Sequence, residues 1–166
     1  MNLAFSTLTR EIGMYDCVGY AEDLTTIVNP TEWIRRWPDF KVDEVKCHGH
    51  GKDGYGACCV DDNLLDMLEE LRRKLNTPLI ISSGFRCISH NQEVGGAPDS
   101  RHIFGEAVDL FNVRPWLRAQ LVHEAHHIGF RGFGFYRSHI HLDIRAEAPA
   151  YWSDGVHGLT EWGFMQ

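Results

Sequence analysis

The clearest run of alternating hydrophobic and polar positions lies between residues 61 and 77. Leu64, Leu65, Leu68, Leu71 and Leu75 recur at helical spacing, and Glu69, Glu70, Arg72 and Arg73 fall away from that stripe. Asp61-Asp62 supplies capping carboxylates at the start, and Pro78 requires the helix to end before it. A second helix is predicted from Pro115, a good first-turn residue, through the stripe Leu117, Leu121, Ala125 and Ile128, to a stop at Gly129. Strand signals separate and follow the two. Leu79-Ile80-Ile81-Ser82 reads as a buried strand and Ala107 to Phe111 as another. Gly132 to Tyr136 and His139 to Ile144 read as an antiparallel hairpin around a short turn. In its second arm His139, His141 and Asp143 alternate with Ile140, Leu142 and Ile144, so period-2 geometry puts three polar side chains on one face and three aliphatics on the other.

The remaining stretches carry weaker patterns. Asn29 or Thr31 can cap a short helix that presents Trp33, Ile34 and Trp37. Phe40 to Cys47 alternates in part and is expected to be an edge strand or an extended loop, and the glycines from Gly49 to Gly56 mark a loop. The tail from Ala146, with Tyr151, Trp152, Trp162 and Phe164, is expected to cover a sheet edge or border a cleft.

Composition narrows the function classes. A chain of 166 residues suits one domain with a hydrophobic core, and a formal charge of -7 gives no basic footprint for nucleic acid. No stretch approaches the roughly 18 to 20 apolar residues of a membrane span, and the first ten residues lack the basic and apolar regions of a signal peptide. Synthesis in the cytoplasm is therefore the expectation, and so is a monomer. The five cysteines, Cys17, Cys47, Cys58, Cys59 and Cys87, are unevenly placed and do not read as a disulfide framework, so reduced thiols are expected. Cys47-His48-Gly49-His50 with Cys58-Cys59 could close a second, structural metal site, although Gly-rich loop chemistry explains the stretch nearly as well.

The chemistry concentrates in Ser100-Arg-His102-Ile-Phe-Gly105-Glu-Ala107-Val-Asp109, answered about thirty residues later by His139-Ile140-His141. A turn at Gly105 would let His102 and Asp109 converge, and His141 would add a third ligand from a neighbouring strand. Two imidazoles and one carboxylate leave a tetrahedral position open, as in catalytic rather than structural zinc sites. His123-Glu124-Ala125-His126-His127 also satisfies His-Glu-x-x-His. The longer metzincin pattern fails there, since Phe130 and Phe133 stand at its glycine and final histidine positions, and a solvated polar helix face accounts for the pentapeptide. Glu147 would be its candidate third ligand.

Ser100-x-His102-x-x-Gly105-x-Ala107-x-Asp109 followed by His-x-His resembles the LAS zinc peptidases. These comprise D-alanyl-D-alanine carboxypeptidases, phage L-alanyl-D-glutamate endolysins and the metal-binding domain of hedgehog proteins. Ser83-Gly84-Phe85-Arg86, His90-Asn91 and Val94-Gly95-Gly96-Ala97 resemble the phage and bacterial carboxypeptidase branch in particular, and the likeness spans roughly Phe40 to Arg145. It implies an α+β fold, a small antiparallel sheet with helices packed against one side. Residues 1–38 would then form an accessory segment packed on a zinc peptidase domain of residues 39–166.

The same resemblance implies a Zn2+ cofactor on His102, Asp109 and His141 and a peptidoglycan stem peptide as substrate, cut at or near a D-amino acid. Release to the cell wall or association with a phage particle would bring the protein to that substrate. A non-catalytic zinc-binding or phage-associated structural module is the alternative. Arg86 has two readings, a surface ion pair or a planar fork for the substrate, and the family's arginine motif favours the second. Ser100 joins Arg86 as a substrate-binding candidate. Several LAS branches carry an acidic residue three positions before the last histidine, where this chain has Ser138, so His139 is expected to take over proton transfer. Asp143 is either an outer acceptor for a ligating imidazole or an exposed strand-end carboxylate.

Overall fold

The computed structural model describes residues 30–49, 58–111 and 113–154. The helix of leucines, Asp62–Leu75, is the third α-helix among the described residues (α3). Asp61 caps it by accepting from the Asn63 amide at 2.8 Å, and Asn76 ends it in the left-handed region. Its five leucines are all buried, each contributing about 1.5–3 kcal/mol relative to an exposed side chain. The later helix, Pro115–Ile128 (α5), runs as the pattern predicts, with Gly129 as its left-handed cap. Leu117, Leu121 and Ala125 face α3 and the sheet.

The sheet has five strands: β1 (Ile81–Ser83), β2 (Ala107–Phe111), β3 (Gly132–Phe135), β4 (His139–Asp143) and β5 (Ala150–Ser153), in the order β1-β2-β4-β3-β5. Pairing is antiparallel except between β3 and β5. The exception follows from where β4 ends. Asp143 lies opposite Gly132 at the start of β3, and Arg131 bonds Asp143 on one side and Ala150 on the other. The short connection therefore crosses that end of β3, and β5 must run alongside it. Val108, Leu110, Phe133, Phe135, Ile140 and Leu142 join the leucines of α3 and α5 in one core. The other sheet face is left for chemistry. The fold is thus α+β, with both long helices on one side of a mostly antiparallel sheet.

Three short helices complete the frame. In α1 (Pro30–Arg36) and just beyond it, Trp33 and Trp37 are buried in the same core, while Arg36 and the Trp37 indole bond Asp62 and Asp66 of α3. The expected strand or extended loop of residues 40–47 contains instead a helical turn, α2 (Val42–Val45). Its start is tied by Glu44, which accepts from the Lys41 amide at 2.8 Å, and Val45 is fully buried. Tertiary burial of one face and a local cap override the partial alternation. The third, α4 (Ile88–Glu93), follows β1.

Cys47, Cys58 and Cys59 are buried and not disulfide-bonded, whereas Cys87 is disulfide-bonded, which departs from the expectation of reduced thiols. Burial pushes the Cys58 and Cys59 thiols up to about 12, so neither is a ready thiolate ligand. No second metal-holding group occurs among the described residues, and His50 lies outside them. No helix among the described residues is long and apolar enough to cross a membrane. The N-terminal segment 1–29 and the tail aromatics Trp162 and Phe164 also lie outside the described residues.

Candidate metal centre

Three backbone devices bring the site together. A 3-10 turn, Arg101–Phe104, carries His102, and Gly105 closes it at φ 70. A Cβ at Gly105 would stand 1.7 Å from the Cys59 carbonyl, so both its conformation and its surroundings require glycine. The chain then enters β2, which places Asp109 directly opposite His141 of β4. Finally, Gly84 after β1 offers its carbonyl to His102 Nδ1 at 2.7 Å, and the Arg86 amide bonds the His102 carbonyl.

The result is a nearly equilateral triangle. His102 Nε2, Asp109 Oδ1 and His141 Nδ1 lie 3.1 Å apart on every side. Ligand atoms held at zinc bond lengths of about 2.0–2.1 Å in tetrahedral array are separated by about 3.3–3.4 Å. The triangle would need to open by only a few tenths of an ångström.

Outer hydrogen bonds decide what these atoms present. His102 must donate through Nδ1, because its partner there is a carbonyl, so Nε2 carries the lone pair. His141 donates through Nε2 to Asp143 Oδ2 at 3.2 Å, leaving the lone pair on Nδ1. With Asp109 ionised, three lone pairs converge in a buried space, and a proton or a cation must sit among them.

The proton affinities express the same demand. Burial alone would raise the Asp109 pKa, but His102 and His141 hold it far below the ordinary carboxylate range. Burial lowers the pKa of His102. At His141 burial also pulls downward, yet Asp109 and Asp143 outweigh it and raise the value. A metal would displace that proton.

Asp143 is fully buried and is the outer acceptor, not an exposed strand-end residue. Arg145 grips it through Nε to Oδ1 at 2.8 Å and Nη2 to Oδ2 at 2.6 Å. Burial favours the protonated acid, but these bonds hold Asp143 well below the usual carboxylate range. A Cβ at Gly132 would lie 1.9 Å from Asp143 Oδ2, so the facing strand makes room for the carboxylate. Sequence reading missed Arg145, although two residues along a strand end places it on the face of Asp143.

Arg86 does not pair with a surface carboxylate. Its Nη2 donates to Asp109 Oδ2 at 2.5 Å and its Nε to Ser83 Oγ at 2.8 Å, so it holds the outer oxygen of a candidate ligand. One ammonium cannot span both acceptors. Arg86→Lys is therefore expected to keep fold and zinc but lose activity about 10- to 100-fold, read from melting temperature, metal content and rate together. An Arg86→Lys protein with full activity would leave Arg86 a purely structural role.

His139 lies on the same strand face, with Nε2 3.9 Å from Asp109 Oδ1. Its ring stacks on Tyr136 at 4.3 Å between centroids, and Nδ1 is 3.0 Å from Ser138 Oγ. Burial lowers its pKa, so the imidazole is neutral near pH 7. Trp152 of β5 borders the group, 5.2 Å from the His141 ring and donating to the Tyr136 hydroxyl at 3.0 Å. Neither Tyr136 nor Trp152 had a motif to mark it.

The other candidates fall elsewhere. Ser100 stands half-buried before the 3-10 turn, and its side chain makes no capping bond. His123 and His127 are exposed on α5, where His127 donates to the His123 carbonyl and Glu124 pairs with Lys74. Glu147 pairs with Arg101 at 2.6 Å. Among the described residues, only His102, Asp109 and His141 form a group able to hold a metal.

Comparison with known proteins agrees with this geometry. A zinc D-Ala-D-Ala carboxypeptidase of Streptomyces albus G is 41% identical over 44 residues, which is 26% of this chain and 17% of that protein. The similarity thus spans under a fifth of the relative's length. The match to the Peptidase M15 family runs over residues 38–143, from the residue after Trp37 to the end of β4, and takes in all three candidate ligands with Arg86 and His139. Covering well over half of the sequence, it shows that this chain belongs to the Peptidase M15 family.

Proposed function

We propose that this chain is a zinc peptidase hydrolysing peptidoglycan stem peptides at or near a D-amino acid, as a D-Ala-D-Ala carboxypeptidase or an endolysin-like peptidase. The observation that carries the proposal is the buried triangle of lone pairs with a neutral imidazole beside it. His102, Asp109 and His141 would hold the zinc. When bound, the metal polarises the scissile carbonyl and lowers the pKa of its water from 15.7 toward about 7.

The side chains around it have separable tasks. Asp143, clamped by Arg145, keeps the proton of His141 on Nε2 and so keeps Nδ1 available. In the tautomer whose Nδ1 donates to Ser138, His139 turns an unprotonated Nε2 toward the site, where it can accept the proton of the attacking water and return it to the leaving amine. Stacking on Tyr136 holds the ring in that attitude. Arg86 fixes Asp109, and its other N-H groups are available to a substrate oxygen. Ser138 thereby acquires a task of its own at the position where other LAS branches carry an acid.

Incubation of the zinc-loaded protein with purified peptidoglycan tests the reading. Released D-alanine would indicate a carboxypeptidase and internal stem-peptide fragments an endopeptidase, and a chelator should abolish either product. Stoichiometric zinc with no product from peptidoglycan or soluble stem peptides would make the chain a non-catalytic zinc module. Action at the cell wall or from a phage particle belongs to the same proposal.

A further inference from the structure

Strand β3 presents two glycines and then one large side chain to the face of the metal centre. Gly132 lies opposite Asp143 and Gly134 opposite His141. The next residue in that period, Tyr136, faces His139 across the hairpin, its amide donating to the His139 carbonyl at 3.1 Å. The strand is thus bare over the ligands and armed with a phenol beside the proton-transfer histidine.

Trp152 fixes where that phenol ends. Pairing of β5 with β3 sets Trp152 beside Gly134, and the indole fills the space a side chain would take there: a Cβ at Gly134 would stand 2.8 Å from Trp152 Nε1 and 2.9 Å from His141 Cβ. The Arg145 guanidinium lies 5.1 Å from the indole ring and the His141 ring 5.2 Å, so Trp152 is held among groups that are themselves fixed. Its N-H reaches the Tyr136 hydroxyl at 3.0 Å.

An indole N-H can only donate, so the phenol oxygen is the acceptor in this bond and its own proton is directed elsewhere. Among the described residues no side chain or carbonyl takes that proton. Accepting a bond also polarises the O-H and strengthens it as a donor. The ring is held independently, stacked on His139 at 4.3 Å with 12° between the planes. A half-buried donor therefore stands in a defined place next to the metal centre.

We infer that the Tyr136 hydroxyl binds the substrate by donating to a peptide carbonyl other than the one attacked, with Trp152 as its positioning residue. The inference rests on the peptidase reading and deepens it. The candidate ligands come from the 3-10 turn, β2 and β4, and β3 lies one strand farther out, about 4.8 Å, so Tyr136 meets the peptide beyond the bond at the metal. One side chain then has two tasks: its ring steadies His139 and its hydroxyl holds the substrate.

Steady-state kinetics on a soluble stem pentapeptide, L-alanyl-D-glutamyl-L-lysyl-D-alanyl-D-alanine, with the zinc-loaded protein test this. Tyr136→Phe keeps the stacking ring and removes only the hydroxyl. It is expected to raise KM by about tenfold with kcat changed less than about threefold, the mark of a contact made equally before and during reaction. Trp152→Phe, which leaves the phenol in place but unsteered, should raise KM by no more than about threefold, and the double variant should be no worse than Tyr136→Phe alone.

A native KM in Tyr136→Phe overturns the inference, and so does a loss confined to kcat. Equal losses in both single variants and the double would mean that the hydroxyl serves only to hold the indole, which overturns it as well. If the native protein cuts no peptide, NMR titration with the same pentapeptide decides. Saturable binding weakened about tenfold in Tyr136→Phe would keep the contact while the peptidase reading falls; equal affinity in the two proteins, or no binding to the native one, would remove the contact too.

Discussion

Alanine at His102 or at His141 is expected to abolish stoichiometric zinc, whereas alanine at both His123 and His127 should leave it intact. The two sets differ in what surrounds them. His102 and His141 are 2% and 8% exposed, and each has its outer nitrogen engaged by a fixed acceptor, so removing either leaves two ligand atoms where three converged. His123 and His127 are exposed, and the Glu124 between them is engaged by Lys74. Because the metal is asked to supply several kcal/mol of transition-state stabilisation, turnover should fall at least about 10³-fold in the first set and stay near native in the second. Metal analysis of the three variants, with melting curves recorded in chelator to separate metal loss from misfolding, decides the assignment. Zinc loss confined to the α5 variant would move the centre to the His-Glu-x-x-His helix.

His139→Ala is the complementary case, with zinc retained and chemistry lost. Its Nε2 lies 3.9 Å from Asp109 Oδ1, and the three-atom group is complete without it. Burial lowers the His139 pKa, and His141 and Arg86 reinforce the effect. A neutral ring with one nitrogen turned toward Ser138 can receive a proton on the other. Replacing it should depress turnover by about 10² to 10⁴, the usual worth of a general acid or base, at unchanged zinc content. A zinc-free His139→Ala protein would make His139 a ligand. A variant with native turnover would send the search for the proton acceptor to Glu106, which now has a partner in Arg101 at 3.0 Å. Asp143 is excluded from that search by its place behind His141, locked by Arg145.

Much of this site could be read along the chain because its parts are local and periodic. The alternation of His139, His141 and Asp143 with Ile140, Leu142 and Ile144 assigned one strand face to chemistry before any fold was known. The leucine stripe of α3 and the Pro115 start and Gly129 stop of α5 placed both long helices, and Gly105 marked the turn between His102 and Asp109. Such features depend on backbone period and on single residues with restricted or unusual φ, and short segments express these wherever they lie.

What only the tertiary structure decided are the relations between side chains distant in sequence. No spacing rule says that the guanidinium of Arg86 reaches back to Asp109 rather than out to solvent, or that Arg145 closes over Asp143. The turn at Val42–Val45 exists because Val45 is buried and bonded to Phe85, forty residues on, a contact that outweighs a weak local alternation. The parallel edge strand β5 follows from where β4 ends in space. Sequence determines which residues share a face; long-range packing determines which faces meet, because side-chain direction and burial are settled by the whole core at once.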